Sequence, residues 1–355
     1  MLELNHTMKI LFIFLAIIIV FILVSLLLGW IFSAPGYRGP VSDHFDGKRF
    51  INPGGNAVGG FRELIKWSRE RQHGEWKEDL GLECGPAPMG RVEGDSIVVT
   101  FVNHSTFLIQ TGGLNILTDP VWSEYASPVS FAGPKRMRPP GIRFEDLPEI
   151  DIVLLTHNHY DHLDINTLKE LANLFNPVIY TPLGVGLYLK KKGIENYIEM
   201  DWWDEIVLSN GSQLLCTPAK HFSGRGMFDR FRTLWSGFAI QTGKGSIYYS
   251  GDTGFGDFFN EIADRIRPVR LAFLPIGAYK PQWFMSSIHT SPADAVKIHQ
   301  ILQSAQSIGM HFGTFPLADD GMAEPGQELI KAIGREGILD ERFLTLEEGR
   351  AFIFQ

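Results

Sequence analysis

Asp151-Ile152-Val153-Leu154-Leu155 runs directly into Thr156-His157-Asn158-His159-Tyr160-Asp161-His162. The first half reads as a buried strand, and three histidines and a carboxylate then fall within six residues. Four clustered side chains of this kind at a strand end do not serve packing. Zinc takes imidazole nitrogen and carboxylate oxygen, and a catalytic ion keeps one position for a water whose pKa it lowers. In an extended or turning segment, residues i and i+2 can point the same way. His157 and His159 can therefore grip one metal, while Asp161 and His162, slightly further on, can serve a second. The chemistry indicated is metal-assisted hydrolysis.

A tetrahedral pair of sites needs more ligands than this run supplies. Three candidates follow β-like runs further on. His221 comes after Gln213-Leu-Leu-Cys-Thr217, Asp252 sits in Ser250-Gly-Asp-Thr-Gly254, and His311 ends Ile308-Gly-Met-His311. A carboxylate has two oxygens, so Asp252 is the natural bridge, and its flanking glycines permit close backbone approach.

Bulk properties narrow the setting. The 355 residues are 45% hydrophobic, enough for a sizeable core. The net charge of -8 lacks the basic footprint of a duplex-binding protein, so no nucleic-acid partner is expected. The two cysteines, Cys84 and Cys216, form neither a disulfide framework nor a CxxC clip. Residues 10–32 carry no charge and are almost wholly apolar. As a helix they rise roughly 35 Å, enough to cross a hydrocarbon core of about 30 Å. This run exceeds the apolar region of a cleaved signal peptide, about 7–15 residues long. We therefore expect a flank at 1–9, a single-pass anchor at 10–32, a linker and extension at 33–95, and a catalytic domain at 96–355. Lys9 precedes the span while Arg38, Lys48 and Arg49 follow it, which leans the catalytic domain toward the cytoplasm.

The Gly- and Pro-rich stretch 33–60 reads as an extended linker with turns, and 61–76 as a short amphipathic helix packed on the domain. Strands are expected at 97–102, 106–109, 114–118, 152–156, 177–180, 213–217, 236–241, 246–250, 271–275 and 307–311. Helices are expected near 165–175, 183–192, 257–265, 292–303 and 325–334. Ser291-Pro292 has the form of a helix start. Meandering strands mixed with βα units imply an α/β fold of two packed sheets flanked by helices.

The Thr156–His162 run, with His221, Asp252 and His311 downstream, resembles the metallo-β-lactamase superfamily. The resemblance implies an αββα four-layer sandwich with two Zn2+ ions. It places His157, His159 and His221 on one ion, Asp161, His162 and His311 on the other, and Asp252 between them. It also implies a supporting role for Asp119. Longer stretches are similar to the N-acyl-phosphatidylethanolamine-hydrolysing phospholipase D family: Asn115–Pro120, Gly133–Pro140, Asp201-Trp-Trp203, Pro275–Tyr279, Trp283-Phe-Met285 and His311–Thr314. That resemblance implies a phospholipid substrate, attack of hydroxide on phosphorus, substrate contacts at Tyr160 and His289, and catalytic roles for Asp161 and His289. Two departures stand out. Asn103 replaces the family's usual glycine, and Ile288 replaces the glutamine that animal members carry before the substrate histidine. The oligomeric state stays open, a homodimer included. A soluble-substrate lactonase and a zinc-stapled, membrane-tethered module without activity are the rival readings.

Overall fold

The computed structural model describes residues 6–55, 59–79, 81 and 83–354. The start of the expected flank and the end of the Gly-rich turn at Asn56 lie outside the described residues. The chain opens with α1 (His6–Phe32), whose stretch Met8–Phe32 has a mean hydropathy of 3.5 and holds no buried residue. A second helix, α2 (Phe61–Glu70), precedes the sheets.

The first sheet holds β1 (Ile97–Asn103), β2 (Thr106–Thr111), β3 (Leu114–Thr118), β4 (Ile152–Leu154), β5 (Val178–Pro182), β6 (Tyr197–Met200) and, closing it, β14 (Ala351–Phe354). Its order is β14-β1-β2-β3-β4-β5-β6. The second holds β7 (Glu205–Val207), β8 (Gln213–Thr217), β9 (Gly237–Thr242), β10 (Gly245–Tyr249), β11 (Val269–Pro275), β12 (Gln306–Met310) and β13 (Phe343–Leu344), in the order β13-β12-β11-β10-β9-β8-β7. Helices α3 (Ile165–Leu174) and α4 (Gly186–Lys191) follow β4 and β5. Helix α5 (Phe258–Ile266) leads into β11. The short α6 (Gln282–Met285) and α7 (Pro292–Leu302) stand between β11 and β12, and α8 (Glu324–Glu336) follows β12.

Three apolar layers show why the chain stacks this way. Val99, Phe101, Phe107 and Ile116 meet Phe238, Ile247, Phe273 and Ile308 between the sheets. Leu163, Leu168, Leu171 and Leu189 cover the outer face of the first sheet, while Phe259, Ile262, Ile298 and Leu329 cover that of the second. Each fully buried side chain of this size contributes about 1.5–3 kcal/mol. The result is the expected αββα sandwich. α7 begins as the sequence indicates: Ser291 and Asp294 form a reciprocal capping box, with proline at the first turn.

Strand directions place the site. β3, β4, β5 and β6 run parallel, and β1, reached through two antiparallel pairings, points the same way. β10, β11 and β12 are parallel, and β8, two antiparallel steps from β10, agrees with them. The C-terminal ends of β1, β4, β8, β10 and β12 therefore gather at one edge, where a bridge from His104 to Phe312 joins the two sheets.

The 33–95 segment is more than a spacer. Phe45 and Phe50 are 1% and 0% exposed and pack with Leu234 and Trp235, so the extension belongs to the catalytic unit. α2 is shorter than the 61–76 pattern suggests. It stops at Glu70 because Arg71 turns extended, and Arg71 Nε and the Gln72 amide both donate to Asp319.

Candidate metal centre

His157, His159, Asp161 and His162 leave β4 on a loop without regular structure, His221 follows β8, Asp252 follows β10, and His311 follows β12. The structure brings all seven together. His159 Nδ1 lies 2.9 Å from His157 Nε2 and 3.2 Å from His221 Nε2. Around a tetrahedral zinc with bonds of about 2.0–2.1 Å, neighbouring ligand nitrogens stand roughly 3.3 Å apart. Those spacings therefore match the edges of a coordination polyhedron. Asp252 Oδ2 lies 2.9 Å from His311 Nε2, 3.2 Å from His162 Nε2 and 3.7 Å from His221 Nε2, between the two halves of the cluster. Asp161 Oδ2 lies 3.3 Å from His311 Nε2 and 3.4 Å from His162 Nε2.

Proximity alone does not identify a metal site, but the geometry does more. His162 Nε2 and His311 Nε2 are buried and make no hydrogen bond despite these short separations, and Asp252 Oδ1 is likewise buried without a partner. Buried polar atoms ordinarily find partners. Here the donor atoms of these residues gather within 4.8 Å of one another in small groups, as ligands for a cation do. The donor set, imidazoles and carboxylates without cysteine, suits zinc and other divalent ions.

Electrostatics agree. Burial pushes the imidazoles of His157 and His221 well below their ordinary pKa, and that of His159 down to about 4, so these three are neutral and ready to coordinate. Burial pushes His162 and His311 down too, but the charge of Asp252, with Asp161, overrides it. His162 rises well above the usual range and His311 to about 9. Burial opposes ionisation of Asp161 and Asp252, yet neighbouring imidazoles hold both well below the carboxylate range. In the absence of a cation, protons on His162 and His311 balance the two carboxylates.

Surrounding groups aim the ligands. Asp119 is fully buried. It accepts hydrogen bonds from the Thr156 amide and hydroxyl and from His162 Nδ1, which fixes the ring so that Nε2 faces the cluster. Asn52 grips the His221 backbone from both sides, 2.7 Å to its carbonyl and 2.8 Å from its amide. His221 Nδ1 lies 2.9 Å from the Ile288 carbonyl, which sets its tautomer. His289 lies in the same cavity, with Nδ1 unbonded and 3.9 Å from Asp252 Oδ2.

Sequence reasoning missed two of these residues. His104 Nε2 sits 3.0 Å from Asp161 Oδ2, within a possible ligand group with Asp161, His162 and His311. His104 and His311 both hold left-handed backbone, φ 46° and 62°, an uncommon state for such residues. The signal for His104 was its place directly after β1, at the same edge as the others. Asn52 carried no signal, since only the fold brings it to His221.

A cavity of about 440 Å³ opens on the cluster. Its wall away from the metal ligands is mostly apolar and includes Leu64 and Trp67 of α2, Phe222, Phe284 and Ile288. Tyr160, expected to touch substrate, does not line it. Its hydroxyl donates to the Arg225 carbonyl, and it faces a separate cavity beside the end of α1.

Residues 114–312 match the profile of the Beta-lactamase superfamily domain. The chain belongs to this superfamily. N-acyl-phosphatidylethanolamine-hydrolyzing phospholipase D 1 of Caenorhabditis elegans is 36% identical over 338 residues, covering 90% of this chain and 94% of the worm protein. The mitochondrial N-acyl-phosphatidylethanolamine-hydrolyzing phospholipase D of Saccharomyces cerevisiae is 31% identical over 78% of this chain, which spans 62% of the yeast protein's length. A metallo hydrolase of Ignicoccus hospitalis shares the fold, with a TM-score of 0.55 at 23% identity, covering 73% of this chain and 99% of its own. The chain is thus a metal-dependent hydrolase of the metallo-β-lactamase fold, which sets aside the reading without activity.

Proposed function

We propose that this enzyme is a membrane-anchored phospholipase D that cleaves N-acyl-phosphatidylethanolamine into phosphatidic acid and an N-acylethanolamine. One observation carries the reading: the His/Asp cluster forms the floor of a cavity whose remaining wall is mostly apolar, a shape suited to a phosphodiester with a fatty chain. The worm relative, matched over nearly its whole length, supports the same substrate.

His157, His159 and His221 would hold one zinc ion, and Asp161, His162 and His311 the other, with Asp252 between. Bound there, two zinc ions supply an activated water and neutralise charge on the phosphate. Asp161, held by His104, would orient the attacking water, take its proton at a carboxylate oxygen and pass it on to the departing N-acylethanolamine oxygen. His289, with an unbonded buried nitrogen beside Asp252, hydrogen-bonds a phosphate oxygen and steadies the leaving group. Leu64, Trp67 and Phe284 take the N-acyl chain out of water.

α1 serves as a retained anchor. Its end is bonded into the catalytic unit: the Met227 amide donates to Gly29, the Phe228 amide to Ser33 Oγ, and the Ala34 amide to Asp229. Cleavage near residue 33 would remove these bonds. Lys9 before the span and Arg38, Lys48 and Arg49 after it support a cytoplasmic catalytic domain.

The test uses the full chain in mild detergent, loaded with zinc, on N-acyl-phosphatidylethanolamine, ordinary phosphatidylethanolamine and a panel of lactones. Release of N-acylethanolamine is expected. Turnover of a lactone with no such release would overturn the lipid assignment.

A further inference from the structure

Arg225 is 8% exposed, and its side chain forms no ion pair among the described residues. Its Nη1 donates to the backbone carbonyls of Asn158 and Leu163, and its Nε has no partner. The guanidinium lies between two rings, 3.8 Å from the Tyr160 centroid and 4.8 Å from that of Tyr188. A buried cation without an anion is costly, and a guanidinium matches the geometry of a phosphate.

The carboxylates around it are otherwise engaged. Asp229 accepts from the backbone amides of Ala34, Arg225 and Gly226. Asp164 accepts from the Trp122, Ser123 and Asn166 amides and the Thr167 hydroxyl. Glu124 pairs with Lys135 at 3.6 Å.

Arg225 and Tyr160 line a cavity of about 340 Å³ that is also lined by Ile31 and Phe32, from the last turn of α1. Ser127, Asn166 and the exposed Lys192 add a polar rim, which also carries the Glu124 and Asp164 carboxylates already engaged as described. With α1 as an anchor, this end of the span would lie at the depth of the bilayer headgroups. The apolar span ends at Phe32, Trp30 is 69% exposed, and Phe131, Met227 and Phe228 project from neighbouring loops with 78%, 58% and 46% exposure. Aromatic and apolar tips of this kind sit at the membrane–water boundary.

We propose that this cavity is a second, non-catalytic lipid subsite that takes the phosphate of an anionic phospholipid of the bilayer. Arg225 and Lys192 receive the phosphate, the hydroxyls on the rim donate to its oxygens, and Ile31 and Phe32 lie along the glycerol and upper acyl segments. The inference rests on α1 being retained as an anchor. It does not depend on which substrate the metal centre turns over.

The test uses the full, zinc-loaded chain in detergent, its intact mass confirming that residues 1–32 are present. Phosphatidylglycerol retention is read by native mass spectrometry, with phosphatidylcholine as reference and inorganic phosphate as competitor. Asn166→Asp places a carboxylate in the cavity at the first turn of α3, where negative charge favours the helix, so the fold is kept. Arg225→Gln removes the cation and is checked for folding. Phosphatidylglycerol should be held in preference to phosphatidylcholine. Asn166→Asp should weaken it about tenfold or more without changing metal content, and Arg225→Gln should weaken it at least as much. Undiminished retention by Asn166→Asp would overturn the proposal. Inorganic phosphate that empties the site at millimolar concentration would show a soluble-anion site and overturn the lipid assignment. Loss of residues 1–32 in the native protein would remove the anchor and the inference together, while leaving the catalytic reading intact.

Discussion

Replacing Asp119 with asparagine tests how the site is held together. Asp119 Oδ1 accepts from the Thr156 amide at 2.7 Å. Its Oδ2 faces the Thr156 hydroxyl at 2.7 Å, His162 Nδ1 at 2.8 Å and Tyr249 Oη at 2.8 Å. Asparagine suits this test because the residue holds φ 31°, a left-handed value that Asn tolerates and alanine does not. The amide keeps the shape and removes the charge. It turns its oxygen toward the three donors, which leaves its NH2 against the Thr156 amide. The Thr156 N–H and the new NH2 are then both without an acceptor, and each such buried group costs about 1–3 kcal/mol of stability. The second effect falls on the metal centre. His162 loses a carboxylate partner that makes its Nε2 a stronger donor to a cation, and changes of this kind cost about 10–100-fold in metal affinity. The assay is a competitive chelator titration of Asp119→Asn against the unmodified chain, with thermal unfolding of the metal-free forms run in parallel. Unchanged metal affinity with the full stability loss would show that Asp119 only braces the strand end and would refute the orienting role.

Other perturbations read other parts of the site. Asn52→Ala removes both bonds to the His221 backbone and should cost about 1–3 kcal/mol in stability with a lower zinc content; metal analysis showing full occupancy would count against it. Leu64, 45% exposed, lines the cavity, so Leu64→Asp should raise KM for a long-chain substrate about fivefold while sparing a short soluble phosphodiester. Equal effects on both would contradict its role as an acyl contact. At pH 7 the metal-free protein carries a proton on His311, raised to about 9 by Asp252 and Asp161 against the pull of burial. Metal uptake must expel it, so apparent affinity rises as pH climbs toward 9 and calorimetry in buffers of different ionisation enthalpy should show proton release. Heats independent of the buffer would refute this.

Much of this architecture was legible because local pattern and final environment agree. The run from Asp151 to His162 becomes β4 and its ligand loop, and the strands carrying His221, Asp252 and His311 form near the expected positions. What escaped the sequence depends on distant pairing. β7 and β13, three and two residues long, lie at the edges of the second sheet, and β14 joins the first sheet only by pairing with β1 from the far end of the chain. β6 adds at the other edge of the first sheet, with its outward residues partly exposed and no strong alternation to mark it. His104 offered a lone histidine at a bend, and its proximity to Asp161 is created only when β1 and β4, separated by β2 and β3, join one sheet. The extension looked like a linker because its Gly and Pro content is that of a turn-rich segment. Phe45, Phe50 and Asn52 nevertheless lock it to the core.

The bond that breaks tests the central claim most directly. When N-acyl-phosphatidylethanolamine is hydrolysed by the zinc-loaded full chain in water enriched in oxygen-18, attack on phosphorus places the label in phosphatidic acid and leaves the N-acylethanolamine unlabelled. Label in the N-acylethanolamine, or in a released fatty acid, would show attack at carbon and contradict a phospholipase D built on this His/Asp centre.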